Sequence, residues 1–104
     1  MEQLECHEGG CLCGQVRYRT IGMPERAGVC HCRYCQLRAG SAFGTLVYFK
    51  KNNVEIIVGN PSDYDFTTEM GKTWKNQFCL SCGTTVLMHL EAWPCDIGVA
   101  GGTF

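Results

Sequence analysis

The amino-acid sequence predicts a mainly β protein made of small antiparallel sheets, and two observations support this fold class. Several segments alternate apolar and polar side chains with a period of two, which is typical of half-buried strands. Glycine occupies 13 of the 104 positions, which suits a chain that turns often between short strands. The length predicts a single domain, residues 1–104, whose apolar core is small.

The first half of the chain contains three predicted strands. Residues 15–20 alternate apolar and charged side chains, whereas residues 41–50 are more continuously apolar and predict a longer, more buried strand. The two asparagines within residues 51–53 favour a turn, because asparagine tolerates left-handed backbone geometry. We therefore expect residues 54–58 to return as the partner strand of residues 41–50.

The second half predicts a hairpin and two further strands. Residues 64–68 and 72–78 form the hairpin, and their large aromatic side chains are expected to pack on its faces. Residues 84–88 and 96–100 complete a set of about eight short strands of ordinary length. Only residues 34–39 suit a helix, and this helix is short.

Nine cysteines are the unusual feature of a chain whose formal net charge is only −1. In a secreted protein this density indicates disulfides, whereas in the cytosol it indicates metal or redox chemistry. The acidic N-terminus has no apolar stretch like that of a signal peptide, and no segment approaches the roughly 18 apolar residues of a membrane span. We therefore expect a cytoplasmic protein with reduced thiols and no membrane partner. The charge balance gives no electrostatic support for a nucleic-acid partner.

Seven of the nine cysteines fall into three tight groups. Zinc binds thiolates at about 2.3 Å in a tetrahedron, which places the sulfurs nearly 4 Å apart. A Cys-x-x-Cys turn reaches that separation with little distortion, and a following glycine can adopt the tight backbone geometry that such a turn requires. Glycines around the Cys-x-Cys pair permit that segment to curl in the same way. The groups are Cys11 and Cys13; Cys30, Cys32 and Cys35; and Cys79 and Cys82.

Seven ligands divide naturally into four and three. A closed structural zinc site takes four protein ligands, whereas a catalytic site takes three and keeps one position open. One short segment can wrap a single ion, so we assign the set of three to the central group. The prediction is two zinc ions per chain, with a structural site of Cys11, Cys13, Cys79 and Cys82 and an open site of Cys30, Cys32 and Cys35.

Two alternatives remain for the central group. It can form a second closed structural site with a fourth ligand such as His7, His89 or Cys95. It can also be a dithiol redox motif, since Cys32 and Cys35 have the Cys-x-x-Cys spacing.

Several other residues are expected to have no role in the sites. Cys6 and Cys95 stand apart from the groups, and His31 alternates with its flanking cysteines and so should point away from their metal. The large aromatic side chains are expected to belong to the core; these are Trp74, Phe78 and Trp93.

Three motifs, in this order and with their glycines, resemble the glutathione-dependent formaldehyde-activating enzyme family, which includes the centromere protein V type. The resemblance covers residues 7–104 and implies a β-tent-like fold with two zinc sites. It matches the family's structural pairs to the first and third cysteine groups and its reaction centre to Cys30, Cys32 and Cys35. The motifs are Gly9-Gly10-Cys11-Leu12-Cys13-Gly14-Gln15-Val16-Arg17-Tyr18, Cys30-His31-Cys32-Arg33-Tyr34-Cys35 with Gly40-Ser41-Ala42-Phe43, and Phe78-Cys79-Leu80-Ser81-Cys82-Gly83.

The resemblance implies a carbon–sulfur lyase that acts on a small thiol such as glutathione and forms S-hydroxymethylglutathione from formaldehyde. Arg33 and Arg38 can meet the substrate carboxylates or remain solvated, and no general base is identified. The alternative function is a zinc-stabilised binding module without catalysis, as the centromere protein V resemblance suggests. Family members generally continue past the position of Phe104 with an acidic residue and a tail, so this sequence is either a fragment or lacks the tail.

Overall fold

Nine strands, one α-helix and two short 3₁₀ helices follow one another along residues 5–104, the part of the chain that this computed structural model describes. The strands are β1 (Cys6–Gly10), β2 (Arg17–Ile21), β3 (Arg26–Cys30), β4 (Gly44–Lys50), β5 (Val54–Val58), β6 (Ser62–Thr67), β7 (Thr73–Phe78), β8 (Thr85–Leu90) and β9 (Asp96–Ala100). The α-helix α1 is Arg33–Ala39, and the 3₁₀ helices are Lys51–Asn53 and Gly101–Thr103.

The strands form two antiparallel sheets. The smaller sheet has the order β1-β2-β5, and the larger sheet has the order β3-β4-β9-β8-β7-β6. Every strand pair in both sheets is antiparallel. The mainly β fold class with small antiparallel sheets is therefore confirmed.

Several local predictions are also confirmed. The predicted hairpin is β6 with β7, and it places Phe66 opposite Trp74 with their rings stacked at a centroid distance of 5.5 Å. The short helix begins one residue earlier than predicted and ends at Ala39, and the following Gly40 has the left-handed φ of 62° that is typical of a helix C-terminus. No helix of residues 5–104 has the length and apolar character needed to traverse a lipid bilayer.

The predicted pairing of residues 41–50 with residues 54–58 is wrong. β4 pairs with β3 and β9 in the larger sheet, whereas β5 pairs with β2 in the smaller one. The connecting residues Lys51–Asn53 form a 3₁₀ helix, and neither asparagine has a positive φ. Because a 3₁₀ helix does not reverse the chain as a two-residue hairpin turn does, it carries β5 across to the other sheet.

Two strands have no signal in the sequence. β1 contains two adjacent glycines, and β3 is largely exposed, so neither shows the alternation that marks a half-buried strand. Both lie at sheet edges, where each pairs with one neighbour, β2 or β4. Pairing with a better-buried neighbour, rather than intrinsic preference, accounts for these strands.

The larger sheet buries side chains on both faces. Along β4, Phe49 packs with Tyr18 of the smaller sheet and with Val99 of β9 in one apolar cluster. The alternate residues Leu46 and Tyr48 belong to a second cluster. Since successive side chains of a strand point to opposite faces, the two clusters lie on opposite sides of the larger sheet.

Each apolar cluster contains the cysteines of one predicted metal site. Cys11 and Cys79 are buried with the side chains between the two sheets. Cys35 is fully buried on the other face, with Cys30 packed against the same cluster. The fold thus separates the cysteines into two sites before any metal is considered.

Gly10 provides a test of how closely the strands flanking the first cysteine pair must approach. A Cβ at this position would strike the backbone carbonyl oxygen of Val16, which cannot move aside as a flexible side chain would. We expect Gly10→Ala to destabilise the protein by about 1–3 kcal/mol, as overpacking usually does, and to lower its melting temperature. Gly28→Ala is the matched control in β3, because nothing lies within 4 Å of the added Cβ. Equal melting temperatures for the two variants would contradict the packing described here.

Candidate metal centres and the adjoining cavity

The first cysteine cluster is formed by two similar turns. One connects β1 to β2 and carries Cys11 and Cys13; the other connects β7 to β8 and carries Cys79 and Cys82. Each turn contains a glycine with positive φ, 81° at Gly14 and 80° at Gly83. The predicted need for glycine in these turns is therefore confirmed at these two positions.

Hydrogen bonds hold the two turns in register. The backbone N–H of Val16 donates to Cys11 Sγ at 3.2 Å, and the N–H of Cys11 donates to the Val16 carbonyl oxygen at 3.0 Å. The N–H of Leu12 donates to Thr84 Oγ1 in the opposite turn at 3.2 Å. Backbone groups of Val16 thus fix the position of Cys11, and the Leu12 N–H joins two turns that are far apart in the sequence.

The spacing of these sulfurs fits a tetrahedral ion. Cys13 Sγ lies 3.7 Å from Cys11 Sγ and 3.6 Å from Cys79 Sγ. Bonds of about 2.3 Å to a tetrahedral zinc would place the sulfurs roughly 3.8 Å apart. All four sulfurs lie within 4.8 Å of one another. This cluster can therefore hold a metal ion without rearrangement of the backbone.

The thiols of this cluster differ strongly in acidity. Hydrogen bonds from the hydroxyl and the backbone N–H of Thr84 lower the pKa of Cys82 to about 5. The backbone N–H of Gln15 favours the Cys13 thiolate, but burial and the neighbouring thiols raise the pKa of Cys13 to about 11. Mutual repulsion thus prevents all four from ionising together unless a cation compensates the charge. This donor set fits a divalent metal bound by thiolates.

The second cluster is the triad of Cys30, Cys32 and Cys35. Cys30 ends β3, Cys32 immediately precedes α1, and Cys35 lies in its first turn. The three sulfurs lie within 4.8 Å of one another, and Cys35 is fully buried. One short segment therefore brings three thiols to a single point, as predicted from the spacing.

The thiols of the triad also differ in acidity. Burial, together with the neighbouring Cys30 and Cys32, raises the pKa of the Cys35 thiol to about 12. Burial acts in the same direction on Cys32, but the backbone N–H groups of Cys35 and Tyr34 and the neighbouring thiols outweigh it and lower the Cys32 pKa. A cation is again needed before all three can be thiolates, so this donor set also fits a metal ion.

The side chains considered as a fourth ligand of the triad lie elsewhere. His7 Nε2 is 3.2 Å from Glu5 Oε2, and His89 Nε2 is 2.7 Å from Gln77 Oε1. Cys95 is exposed and joins neither cluster, and the same holds for Cys6. The ring of His31 packs against Phe43 at 5.5 Å, outside the triad. Within residues 5–104, the triad therefore has three candidate protein ligands.

A cavity of about 360 Å³ adjoins the triad. Cys30 and Cys32 form part of its wall, together with backbone and side chains of β3 and several large apolar residues. The remaining lining residues are Arg26, Ala27, Gly28, Val29, Leu46, Tyr48, Trp74, Leu90 and Trp93. Cys30 and Cys32 of the triad thus adjoin a largely apolar space.

Among residues 5–104, Arg26 is the only charged side chain of the cavity wall, and it is already paired. Its Nη2 donates to Asp96 Oδ2 at 2.6 Å. Its guanidinium also lies 4.1 Å from the Trp93 ring and 5.1 Å from the Tyr48 ring. These contacts hold Arg26 and Trp93 together at one side of the cavity.

Sequence reasoning missed the cavity residues. Trp93 was expected in the core, but 43% of its surface is exposed and it lines the cavity. Trp74 is buried as expected, yet it too contributes to the wall. No spacing in the sequence relates either tryptophan to the triad, because the cavity is assembled from strands that meet only in the folded sheet.

The two arginines considered for substrate carboxylates differ in environment. Arg33 is exposed and donates to Gln36 Oε1 at 3.4 Å. Arg38 is half-buried, and its Nε and Nη2 have no hydrogen-bond partner within the described residues. Arg38 lines a separate cavity of about 440 Å³ with hydroxyl groups that include Ser41 and Thr45. A cation is therefore available near the triad, but outside the apolar cavity.

Comparison with solved structures gives a neighbour that shares this fold. A structural-genomics crystal structure of a Rhodobacter sphaeroides protein superposes with a TM-score of 0.75 and 22% sequence identity, covering 94% of this chain and 87% of that one. No curated protein matches the sequence. A sequence profile described as glutathione-dependent formaldehyde-activating enzyme matches residues 6–104. With both cysteine clusters inside the matched region, the chain belongs to the glutathione-dependent formaldehyde-activating enzyme family.

Proposed function

We propose that the protein is a zinc-dependent enzyme of carbon–sulfur chemistry that joins a thiol such as glutathione to an aldehyde such as formaldehyde. The observation that carries the proposal is the triad of thiols at the wall of an apolar cavity. Family membership supports glutathione-dependent activation of formaldehyde. Cys11, Cys13, Cys79 and Cys82 would hold a structural zinc, and Cys30, Cys32 and Cys35 a second zinc at the reaction centre.

The reaction needs little covalent chemistry from the protein. The thiol sulfur loses its proton and forms a bond to the aldehyde carbon as the carbonyl π bond breaks, and the carbonyl oxygen gains a proton to become a hydroxyl. Cys30, Cys32 and Cys35 would hold the zinc ion, which when bound would supply a position for a further sulfur and favour its thiolate form. The chain itself would bring the thiol sulfur and the aldehyde together beside the triad, and proximity would supply much of the gain in rate.

Tyr48 would donate a hydrogen bond to the carbonyl oxygen. It lines the cavity, and burial together with the charges of Cys35 and Cys30 raises the pKa of its phenol to about 12. It therefore stays protonated throughout the neutral range. A neutral phenol in an apolar wall can donate to the oxygen as negative charge develops there.

The two metal sites are expected to differ in what they support. Cys79 is buried between the sheets, and its sulfur contacts that of Cys13 in the turn near the other end of the chain. We therefore expect Cys79→Ser to prevent stable folding, so that no cooperative unfolding transition is observed on heating. Loss of structural zinc removes on the order of 10 kcal/mol of folding free energy. Cys32 is exposed, so Cys32→Ser should keep the fold while one metal equivalent is lost.

The control for both variants is Cys6→Ser, an exposed cysteine outside the clusters. Circular dichroism melts and metal analysis by mass spectrometry would be compared for the three proteins. A normal melt for Cys79→Ser contradicts the structural assignment. Unfolding of Cys32→Ser contradicts the open site, because it would make the triad a second structural centre.

Metal analysis with added glutathione tests the open site directly. We expect two zinc ions per chain and a change in the sulfur coordination measured by X-ray absorption when glutathione is added. The change should vanish in Cys32→Ser and persist in Cys6→Ser. One zinc per chain, or two sites that do not respond to the thiol, would instead favour a zinc-stabilised binding module.

Tyr48→Phe removes the proposed hydrogen bond but keeps the ring. We expect turnover of glutathione with formaldehyde to fall on the order of 100-fold, while KM for glutathione stays near its original value. Tyr64→Phe is the matched control, because Tyr64 is exposed on β6 and does not line this cavity. Unchanged turnover for Tyr48→Phe would remove this residue from the mechanism.

A further inference from the structure

The cavity beside the triad is larger than formaldehyde requires. Formaldehyde adds one carbon and one hydroxyl to the thiol sulfur, whereas the space that adjoins Cys30 and Cys32 measures about 360 Å³. Cavities of this size are typical of sites that enclose a small organic molecule. A formaldehyde adduct would leave most of the space to water.

The walls of the cavity are a poor environment for that water. Apart from Arg26, Tyr48 and the two cysteines, the side chains that line it are aliphatic or aromatic. An ordered water needs two to four polar partners, and apart from the phenol of Tyr48, the two thiols and the indole N–H of Trp74, which has no partner within residues 5–104, the wall supplies few. Replacing the water with an apolar group is therefore favourable. The apolar side chains are Val29, Leu46, Trp74, Leu90 and Trp93, with Ala27.

The charge of the wall also selects against an ionised group. The Arg26 guanidinium is paired with Asp96 at 2.6 Å and stacked on Trp93 at 4.1 Å, so it is not free to compensate a new carboxylate. Burying an uncompensated carboxylate is costly. The carboxylates of glutathione are therefore excluded from this cavity, and only an uncharged part of an adduct fits there.

One side of the cavity is open to solvent, so a ligand can enter. Val29 lies on the edge strand β3 and is 57% exposed, and Trp93, whose ring stacks on the Arg26 guanidinium, is 43% exposed. Exposed large apolar residues that adjoin a thiol cluster are typical of a ligand site. The entrance therefore leads directly to Cys30 and Cys32.

We propose that this cavity receives an uncharged apolar group, above all an aromatic ring, carried on the aldehyde-derived carbon of the adduct. The substrate class then consists of thiol adducts of aromatic and branched aliphatic aldehydes, with formaldehyde as the smallest member. This inference rests on the proposed function for the sulfur at the triad. The apolar cavity itself is defined by the structure alone.

The test compares two stable thioethers that carry the same charges. S-methylglutathione mimics the formaldehyde adduct, and S-benzylglutathione mimics the benzaldehyde adduct. The chain has two tryptophans, and both line the cavity, so intrinsic fluorescence reports its occupancy without any measurement of activity. We expect S-benzylglutathione to change the fluorescence and to bind the zinc-loaded protein about 10-fold or more tightly than S-methylglutathione.

A pair of valine variants locates the binding. Val29→Glu introduces a charge at the cavity wall and should weaken S-benzylglutathione by about tenfold or more. Val58→Glu is the matched control, because Val58 is 48% exposed on the edge strand β5 and lies outside the cavity. Metal content is measured for both variants. The comparison of the two thioethers on the unaltered protein stands even if Val29→Glu loses metal.

The outcomes separate this inference from the proposed function. Equal affinities for the two thioethers, or binding of S-benzylglutathione without a change in tryptophan fluorescence, would overturn the inference even if glutathione alters the metal coordination. If neither thioether binds but benzyl mercaptan does and changes the fluorescence, the apolar cavity is supported and glutathione is rejected as the thiol. Equal weakening by Val29→Glu and Val58→Glu would also count against the cavity.

Discussion

The alternation of side chains along β4 is the constraint on which the rest of the structure depends. Phe49 faces the smaller sheet and helps to bury Cys11 and Cys79, whereas Leu46 and Tyr48 face α1 and help to bury Cys35. A shift of one residue in the register of β4 would exchange these two sets of side chains. Because β4 buries apolar side chains on both faces of the larger sheet, the two cysteine clusters stay on opposite sides of that sheet.

The clusters differ in how they connect the chain. In the first, the sulfurs of Cys13 and Cys79 meet although the two residues are 66 positions apart in the sequence. Closing so long a loop costs conformational entropy, which metal binding at the four thiols would offset. In the second, six consecutive residues supply all three thiols at the start of α1. A metal bound at the triad would therefore close only a short loop and offset far less conformational entropy.

The electrostatics of the molecule follow the same division. Arg26, the single cation of the apolar cavity, is neutralised by Asp96 and covered by Trp93. Arg38, on the helix that carries Cys35, has buried nitrogen atoms without a partner within residues 5–104 and lines a cavity rich in hydroxyl groups. The adduct that we propose would match this division, with its charged thiol portion near Arg38 and its apolar aldehyde portion in the cavity beside the triad.

The sequence by itself determined what depends on neighbouring residues. Cysteine spacing and the glycines after Cys13 and Cys82 predicted both clusters, and two segments with large aromatic side chains within residues 64–78 predicted the hairpin of β6 with β7. These features are local, because turn geometry and metal-ligand distances involve only a few consecutive residues. Only the tertiary structure decided that β5 joins β2, that the edge strand β3 exists, and that Trp93 lies beside Cys30 and Cys32 in one cavity. These features require pairing and packing between distant segments. A strand's own sequence can show that one of its faces is buried, but it does not show which distant segment covers that face.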